Sequence, residues 1–386
     1  MRNGYRVYDA DTHVSPSAEQ LDAYLPSMVR ERIPDLEKYK SPIKTGWAGE
    51  HREPPYKHFY RFGGGGAGWG RGAVRVLGEA GPREGEQRHW QKFMGAKFPT
   101  EDGQWDAHAR IKDMDEEGTD VQLLVPGGAN DHPDPQIEME FIKAEHRFLD
   151  DMCSAYPHRL KTMLVASARC IDESVQEIKK YAGKPWAVGV RPALPLDYPI
   201  DHPDLDPIWK AADEAGMCIL HHSFSWGYPG YRDLWNNPFL GRTASHPWAA
   251  MRAVGAFMGA GLMDRFPNLR FAILESGFGW LPFWARRMDD QAEYVGYVAE
   301  GLKRKPGQYI SDGRFFCSIV IHEGQDMVNL VNAALGDHVL MFGSDYPHSE
   351  SRFPGSVDEV LGWESIPPPA MQKLMWDNAV RAFGEP

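Results

Sequence analysis

The chain has 386 residues, 42% hydrophobic and 25% charged, which places it among folded globular proteins and leaves room for one large α/β barrel or several ordinary domains. Its net charge of −12 leaves no basic surplus to neutralise phosphates, so nucleic acid is excluded as an expected partner. No run of about 18 apolar residues is present, and "MRNGYRVYDAD" lacks a signal-like apolar core, so no membrane span and a cytoplasmic location are expected.

Short apolar runs rich in β-branched and aromatic residues recur along the chain. They are "YRVYDAD" (5–11), "TDVQLLVP" (119–126), "LKTMLVAS" (160–167) and "WAVGVRP" (186–192). "MCILHH" (217–222), "LRFAILES" (269–276), "FFCSIVIH" (315–322) and "HVLMFGSD" (338–345) complete a set of eight predicted strands. Segments with three- and four-residue apolar spacing separate them, from "DAHARIKDMDEEG" before the second strand to "DMVNLVNAALG" before the eighth. "HPWAAMRAVGAFMGAGLMDRF" reads as the helix before strand six, and "PAMQKLMWDNAVRAFG" closes the chain. Eight strands alternating with helices predict an α/β fold, a (β/α)8 TIM barrel spanning 1–386 as a single domain.

One stretch, about 18–105, breaks the rhythm as a long insertion after the first strand. Its "FGGGGAGWGRG" (62–72) contains a formal G-x-G-x-x-G, but no strand precedes it and no βαβ unit surrounds it. A flexible loop is the reading for these glycines. The position after a barrel strand predicts a lid or an oligomer contact for the insertion. Cys153, Cys170, Cys218 and Cys317 form no C-x-x-C pair, so reduced thiols are expected rather than a zinc ribbon or a disulfide framework.

Side chains at the C-terminal ends of barrel strands converge. Asp11 and His13 end the first predicted strand, His221 and His222 the fifth, Glu275 the sixth, His322 and Glu323 the seventh, and Asp345 the eighth. Each alone fits a hydrogen-bonded structural group. Together, imidazoles and carboxylates at several strand ends predict a divalent metal held by N and O ligands. Without a thiolate cluster, zinc or manganese is expected first, with iron as a further option. Adjacent strand residues point to opposite faces, so His221 and His222 cannot enter the barrel equally.

The D-x-H of Asp11 and His13, the strand-five histidine and "FGSDYPH" (342–348) resemble the amidohydrolase-related family, in the branch of aminocarboxymuconate semialdehyde and resorcylate-type decarboxylases. "DMDEEGTDVQLLVP", "HPDLDPIWKAADEAGM", "GLMDRFPNLRFAILESGFGWLPFWARRMD" and "DNAVRAF" extend the likeness over most of 106–384, but not over the insertion. The resemblance implies that Asp11, His13, one of His221 and His222, and Asp345 are metal ligands. The spacing from Cys218, where the family usually has proline, favours His222. It also implies that Asp345 binds metal or handles a proton.

Two departures matter. Glu275 in "LESGFGW" stands where many members carry histidine, and it can bind metal, act as a base or hold a ligand in place. Arg191 in "VGVRP" stands where a carbamylated lysine would have to be, so no binuclear centre of that kind is expected. Arg191 reads either as a partner for a substrate carboxylate or as half of an interior ion pair. His246 reads as a helix start or a substrate contact, and His348 as a general acid or a solvated loop residue. Trp226, Tyr228 and Trp280 read as pocket lining or as packing under the insertion.

The expected function is that of a metal-dependent hydrolase or non-oxidative decarboxylase of a small carboxylate-bearing substrate. Asp345, His222, Glu275 and His348 are its candidate catalytic residues. Arg191, His246 and Trp226 are its candidate substrate contacts. A homo-oligomer is expected. The alternatives are an iron- or manganese-dependent monooxygenase, and a metal-bearing structural subunit in a hetero-oligomer with an active paralogue.

Overall fold

The computed structural model describes residues 1–42, 57–62, 101–127, 132–195, 198–222, 243–244, 246–295, 302–348 and 351–386. Eight parallel strands run in chain order round one sheet: β1 Tyr8–Val14, β2 Val121–Pro126, β3 Leu160–Ser167, β4 Ala187–Ala193, β5 Cys218–His222, β6 Arg270–Leu274, β7 Phe315–Ser318 and β8 Leu340–Met341. Each pairs with the next in sequence. The seam between β8 and β1 is drawn together by Ala10 N–H to Phe342 O at 2.9 Å, Asp345 N–H to Asp11 O at 2.9 Å and His13 N–H to Tyr346 O at 2.6 Å. The barrel therefore closes through the backbone of three residues singled out for the site, which is the predicted (β/α)8 architecture.

The helices between strands are α1 Ala107–Glu117, α2 Pro135–Ser154, α3 Ile171–Tyr181, α4 Asp206–Ala215, α5 His246–Gly259, α6 Leu281–Val295 and α7 Gly324–Leu335. Local chemistry sets their ends. The Asp106 side chain accepts from Ala109 N–H to start α1, and Gly118, at φ 87°, ends it in the left-handed region. Asp134 caps α2, with Pro135 at its first position. The helix expected over "HPWAAMRAVGAFMGAGLMDRF" is interrupted. α5 ends at Gly259, Gly261 lies at φ 69°, and a short Leu262–Arg265 turn follows.

Inside the barrel, Tyr8, Ala10, Leu123, Met163, Cys218, Leu220, Leu274 and Phe316 form one apolar cluster. The closing helix Asn378–Phe383 and the preceding turn plug it from below with Trp376, Ala379, Ala382 and Phe383. Tyr8 and Ala10 thus face inward. A register shift in β1 between Asp9 and Thr12 brings Asp11 and His13 inward above them. A bulge re-aims side chains in this way, and bulges concentrate beside functional sites.

The described part of the insertion includes an antiparallel pair, Lys40–Pro42 with His58–Tyr60, and two short helices, Ala18–Asp22 and Ser27–Arg32. Leu21, Val29, Leu36, Tyr60 and Phe62 pack there against Ile137 and Phe141 of α2. The glycines after Phe62 lie outside the described residues. Among the described residues no helix is long and apolar enough to cross a membrane.

Candidate metal centre

Five side chains converge above the barrel core. His13 Nε2 lies 2.9 Å from Asp345 Oδ1, 3.5 Å from Glu275 Oε2 and 3.7 Å from Asp11 Oδ1. His222 Nε2 lies 3.2 Å from the same Glu275 oxygen and 3.5 Å from the same Asp11 oxygen. Ligands bound about 2.1 Å from one metal ion stand about 3.0–3.4 Å from each other, close to this spread. Asp11 Oδ1 and His13 Nε2 are buried without a well-formed hydrogen bond. Buried polar atoms in that state normally have a partner, and a cation at the centre of the cluster fits as that partner.

The electrostatics point the same way. Burial opposes a charge on His13, yet the carboxylates of Asp345 and Glu275 outweigh it and raise its pKa to about 10. Burial likewise opposes a charge on His222, and Asp11 and Glu275 raise it to about 9. Glu275 is held well below its usual range because His13 and His222 outweigh its burial. Three carboxylates around two imidazoles demand positive charge, as protons or as a divalent cation. His221, one residue from His222, behaves oppositely. Burial first, then the charges of His222 and Arg191, lower it to about 3. Of the two neighbours, His222 shares the inward face with Cys218 and Leu220 and reaches the cluster.

Two cluster residues occupy a backbone region that favours glycine: Glu275 at φ 46° and Asp345 at φ 63°. Non-glycine residues there cost roughly 1–2 kcal/mol each and persist where the surroundings over-determine them. Ser318 at the end of β7 donates to Asp11 Oδ2 at 3.2 Å and accepts the Glu275 N–H at 3.2 Å. Asp9, below the cluster, accepts from Ser344 N–H at 2.9 Å and from the Ser344 hydroxyl at 2.5 Å. The fully buried Arg110 of α1 donates to His13 O at 2.7 Å, Thr12 Oγ1 at 2.7 Å and Gln122 Oε1 at 2.6 Å. It therefore holds the bulged end of β1 from outside the barrel. Sequence reasoning missed Ser318, Ser344 and Arg110. The signal for Arg110 was an arginine on a helix stripe that is buried at Arg110, Asp113, Met114 and Glu117.

His348 sits at the rim. Its Nδ1 is 2.7 Å from Asp345 Oδ1, and its ring stacks on His13 with centres 4.0 Å apart. His322 and Glu323 do not end a strand. They follow β7 in a short Ile321–Glu323 turn, and neither joins the cluster. The reason is that β7 stops at Ser318, so the chain has turned away before reaching them. Arg191 donates to Pro126 O at 3.0 Å and makes no ion pair among the described residues. The nearby Glu145 is buried, and that burial raises its pKa to about 7 against the pull of Arg191. His246 is the first residue of α5, and only its backbone is described. Trp226 and Tyr228 lie outside the described residues.

A cavity of about 380 Å³ opens beside Asp11, Glu275 and Asp345. Met251, Trp280, Ile319, Val320 and Ile321 give it apolar walls, and His322 and Glu323 also line it. Arg191 does not. A concave apolar pocket with a few convergent polar groups is the usual form of a small-molecule site. The arrangement can hold one divalent cation, seat a flat apolar ring against the wall and present a carboxylate–imidazole pair, Asp345 and His348, to it.

Comparison with known proteins supplies the family. The gamma-resorcylate decarboxylase of Polaromonas sp. is 22% identical over 297 residues, covering 71% of this chain and 86% of that protein. Among solved structures, 5-carboxyvanillate decarboxylase from Novosphingobium aromaticivorans, with manganese and 4-hydroxy-3-methoxy-5-nitrobenzoic acid bound, superposes with a TM-score of 0.67 at 16% identity. The match covers 99% of this chain and 97% of that one. An amidohydrolase from Mycobacterium avium subsp. paratuberculosis superposes with a TM-score of 0.71 at 17% identity over 98% of both chains. The amidohydrolase family itself matches residues 8–384, and the chain belongs to that family.

Proposed function

We propose that this protein is a divalent-metal-dependent decarboxylase of small aromatic carboxylates. The observation that carries the reading is the buried donor cluster of Asp11, His13, His222, Glu275 and Asp345 at the edge of an apolar-walled cavity. The decarboxylases named above, one of them a manganese complex, support it. Asp11, His13, His222 and Asp345 would hold the ion, with Glu275 as a further oxygen donor. Three carboxylates favour manganese, and two imidazoles keep zinc in contention. When bound, the cation supplies Lewis-acid charge that orients and polarises the substrate's oxygens.

The chain's own residues do the rest. Trp280, Met251 and Ile319 bear on the ring and keep water from it. The pair formed by Asp345 and His348, with Nδ1 2.7 Å from Oδ1, carries the proton that the reaction consumes on the imidazole, and the Asp345 carboxylate holds that imidazole in place. That proton goes to the ring carbon that loses its carboxylate. The carbon–carbon bond breaks, its electron pair takes the proton, and carbon dioxide leaves. Four buried free cysteines support a reducing, cytoplasmic setting. Exposed Trp248, Phe283, Met327 and Leu330, on the consecutive helices α5, α6 and α7, support self-association.

The test is carbon dioxide release from a panel of hydroxybenzoates by the manganese- or zinc-loaded protein. Release from at least one member is expected. No release, with hydrolysis of amides or lactones instead, would replace this reading by the hydrolase one.

A further inference from the structure

Glu323 follows β7, and its carboxylate is spent on the backbone of the neighbouring turn. Gly279 N–H donates to Oε2 at 2.7 Å, and Phe278 N–H lies 3.2 Å from both oxygens. This turn, 275–279, is the one that carries Glu275. Its backbone is strained at Glu275, φ 46°, and left-handed again at Gly277, φ 67°. Such a conformation needs anchors. Ser318 Oγ accepts the Glu275 N–H, and the Trp280 indole N–H reaches Ser276 O and Gly277 O, each at 3.0 Å. The far end of the turn is held by Glu323.

The fit leaves no slack. A Cβ added to Gly277 would lie 2.4 Å from Glu323 Oε1, and one on Gly279 would lie 3.0 Å from Oε2. A carboxylate suits the place because it accepts two N–H groups at once, just ahead of α6. Glutamine keeps one acceptor and turns an amide N–H2 toward the other donor. Alanine leaves both N–H groups without that partner.

We infer that Glu323 is a positioning residue: by clamping the 275–279 turn from β7, it sets where the Glu275 carboxylate stands in the donor cluster. The inference rests on the reading of Glu275 as a donor to the cation. It also assigns this glutamate, expected from the sequence only as one of the acids and imidazoles at strand ends, to a place one turn away.

The experiment measures the manganese dissociation constant by calorimetry on the full chain. The proteins are wild type, Glu323→Gln, Glu323→Ala, Glu275→Ala and the double variant Glu275→Ala/Glu323→Ala, with a thermal midpoint for each. Glu323→Ala should weaken binding about tenfold, the lower end of the range for groups that orient ligands, with Glu323→Gln in between. In the Glu275→Ala background, Glu323→Ala should change the constant no further, because the group it positions is gone. A merely structural role would lower the midpoint equally in both backgrounds and leave the constant alone. Unchanged binding in both Glu323 variants, or the same loss with and without Glu275, overturns the inference. If Glu323→Ala fails to fold, Glu323→Gln decides by the same comparison. Unchanged binding in Glu275→Ala alone would overturn the donor reading of Glu275, and this inference with it. Absence of decarboxylation would leave the binding comparison standing.

Discussion

The hydroxyl of Ser318 donates to Asp11 Oδ2 at 3.2 Å, joining β7 to β1 across 307 positions of sequence. One oxygen of Asp11 is thereby occupied, and the other is turned to His13 and His222, 3.7 and 3.5 Å away. The same hydroxyl accepts the Glu275 N–H, so one small side chain orients two carboxylates of the cluster. Ser318→Ala should therefore keep the fold and weaken metal binding about tenfold, as loss of a ligand-orienting group does. Equilibrium dialysis against manganese checks it. Wild-type affinity would show that Asp11 and Glu275 hold their places without the serine.

The purified protein is expected to hold close to one ion per chain, manganese or zinc, because the donors form two overlapping sets that share His13, with no thiolate among them. Elemental analysis after gentle purification measures this. Less than about a tenth of chains loaded, with no uptake of added manganese or zinc, would count against a metal centre.

His13→Ala and Asp345→Asn should each abolish activity without unfolding the chain, since both side chains sit inside the cluster. His348→Ala should leave a partial rate. Its side chain is 47% exposed at the rim, so water can replace it beside Asp345. Steady-state kinetics with circular dichroism separates these outcomes. Full activity in Asp345→Asn would remove that residue from the mechanism.

Glu275→Gln should lower metal affinity or rate by about ten- to a hundredfold, because the amide loses one oxygen acceptor and the negative charge facing His13 and His222. Glu275→His tests whether the more common residue of the family fits a backbone at φ 46°. Metal titration and kcat on the two variants read the effect.

Glu145 gives a pH signature away from the site. It is buried at 2% exposure, and burial raises its pKa from 4.5 to about 7, with Arg191 pulling the other way. Between those values the folded protein binds the proton more strongly than the unfolded chain, so this residue's contribution to stability falls as pH rises from 4.5 to 7. At about 1.4 kcal/mol per pKa unit, the loss is about 3 kcal/mol, complete above the folded-state pKa. Glu145→Gln should be more stable than wild type above that pKa and differ little near pH 4.5. Denaturant midpoints at both ends of the range measure the difference. An equal shift at both ends would mean that the carboxyl is not titrating.

Much of the molecule was legible in the chain. The strands are short runs of Val, Ile, Leu, Phe and Tyr whose burial on both faces leaves little choice of structure, and the helices carry apolar spacing with Asp caps and Gly stops. That alternation determined the barrel, and the barrel determined that Asp11, His13, one of His221 and His222, and Glu275, at strand ends, would meet. Asp345, expected at the end of the eighth strand, joins them from the backbone four residues past β8, which stops at Met341. What tertiary structure alone decided is where the backbone departs from regular alternation. Side-chain parity in a strand has a period of two, and a single shift between Asp9 and Thr12 changes which residues face in. β7 ending at Ser318 made that serine part of the site and sent Glu323 to the neighbouring turn. On α1, the buried stripe carries charges: Arg110 donates to His13 O, Asp113 accepts from the Tyr346 hydroxyl, and Glu117 accepts from Val357 N–H. Periodicity locates a buried face by its apolar residues. A face built from charges depends on partners such as these, about 100 to 240 positions away, and those partners are brought within reach by the closed barrel.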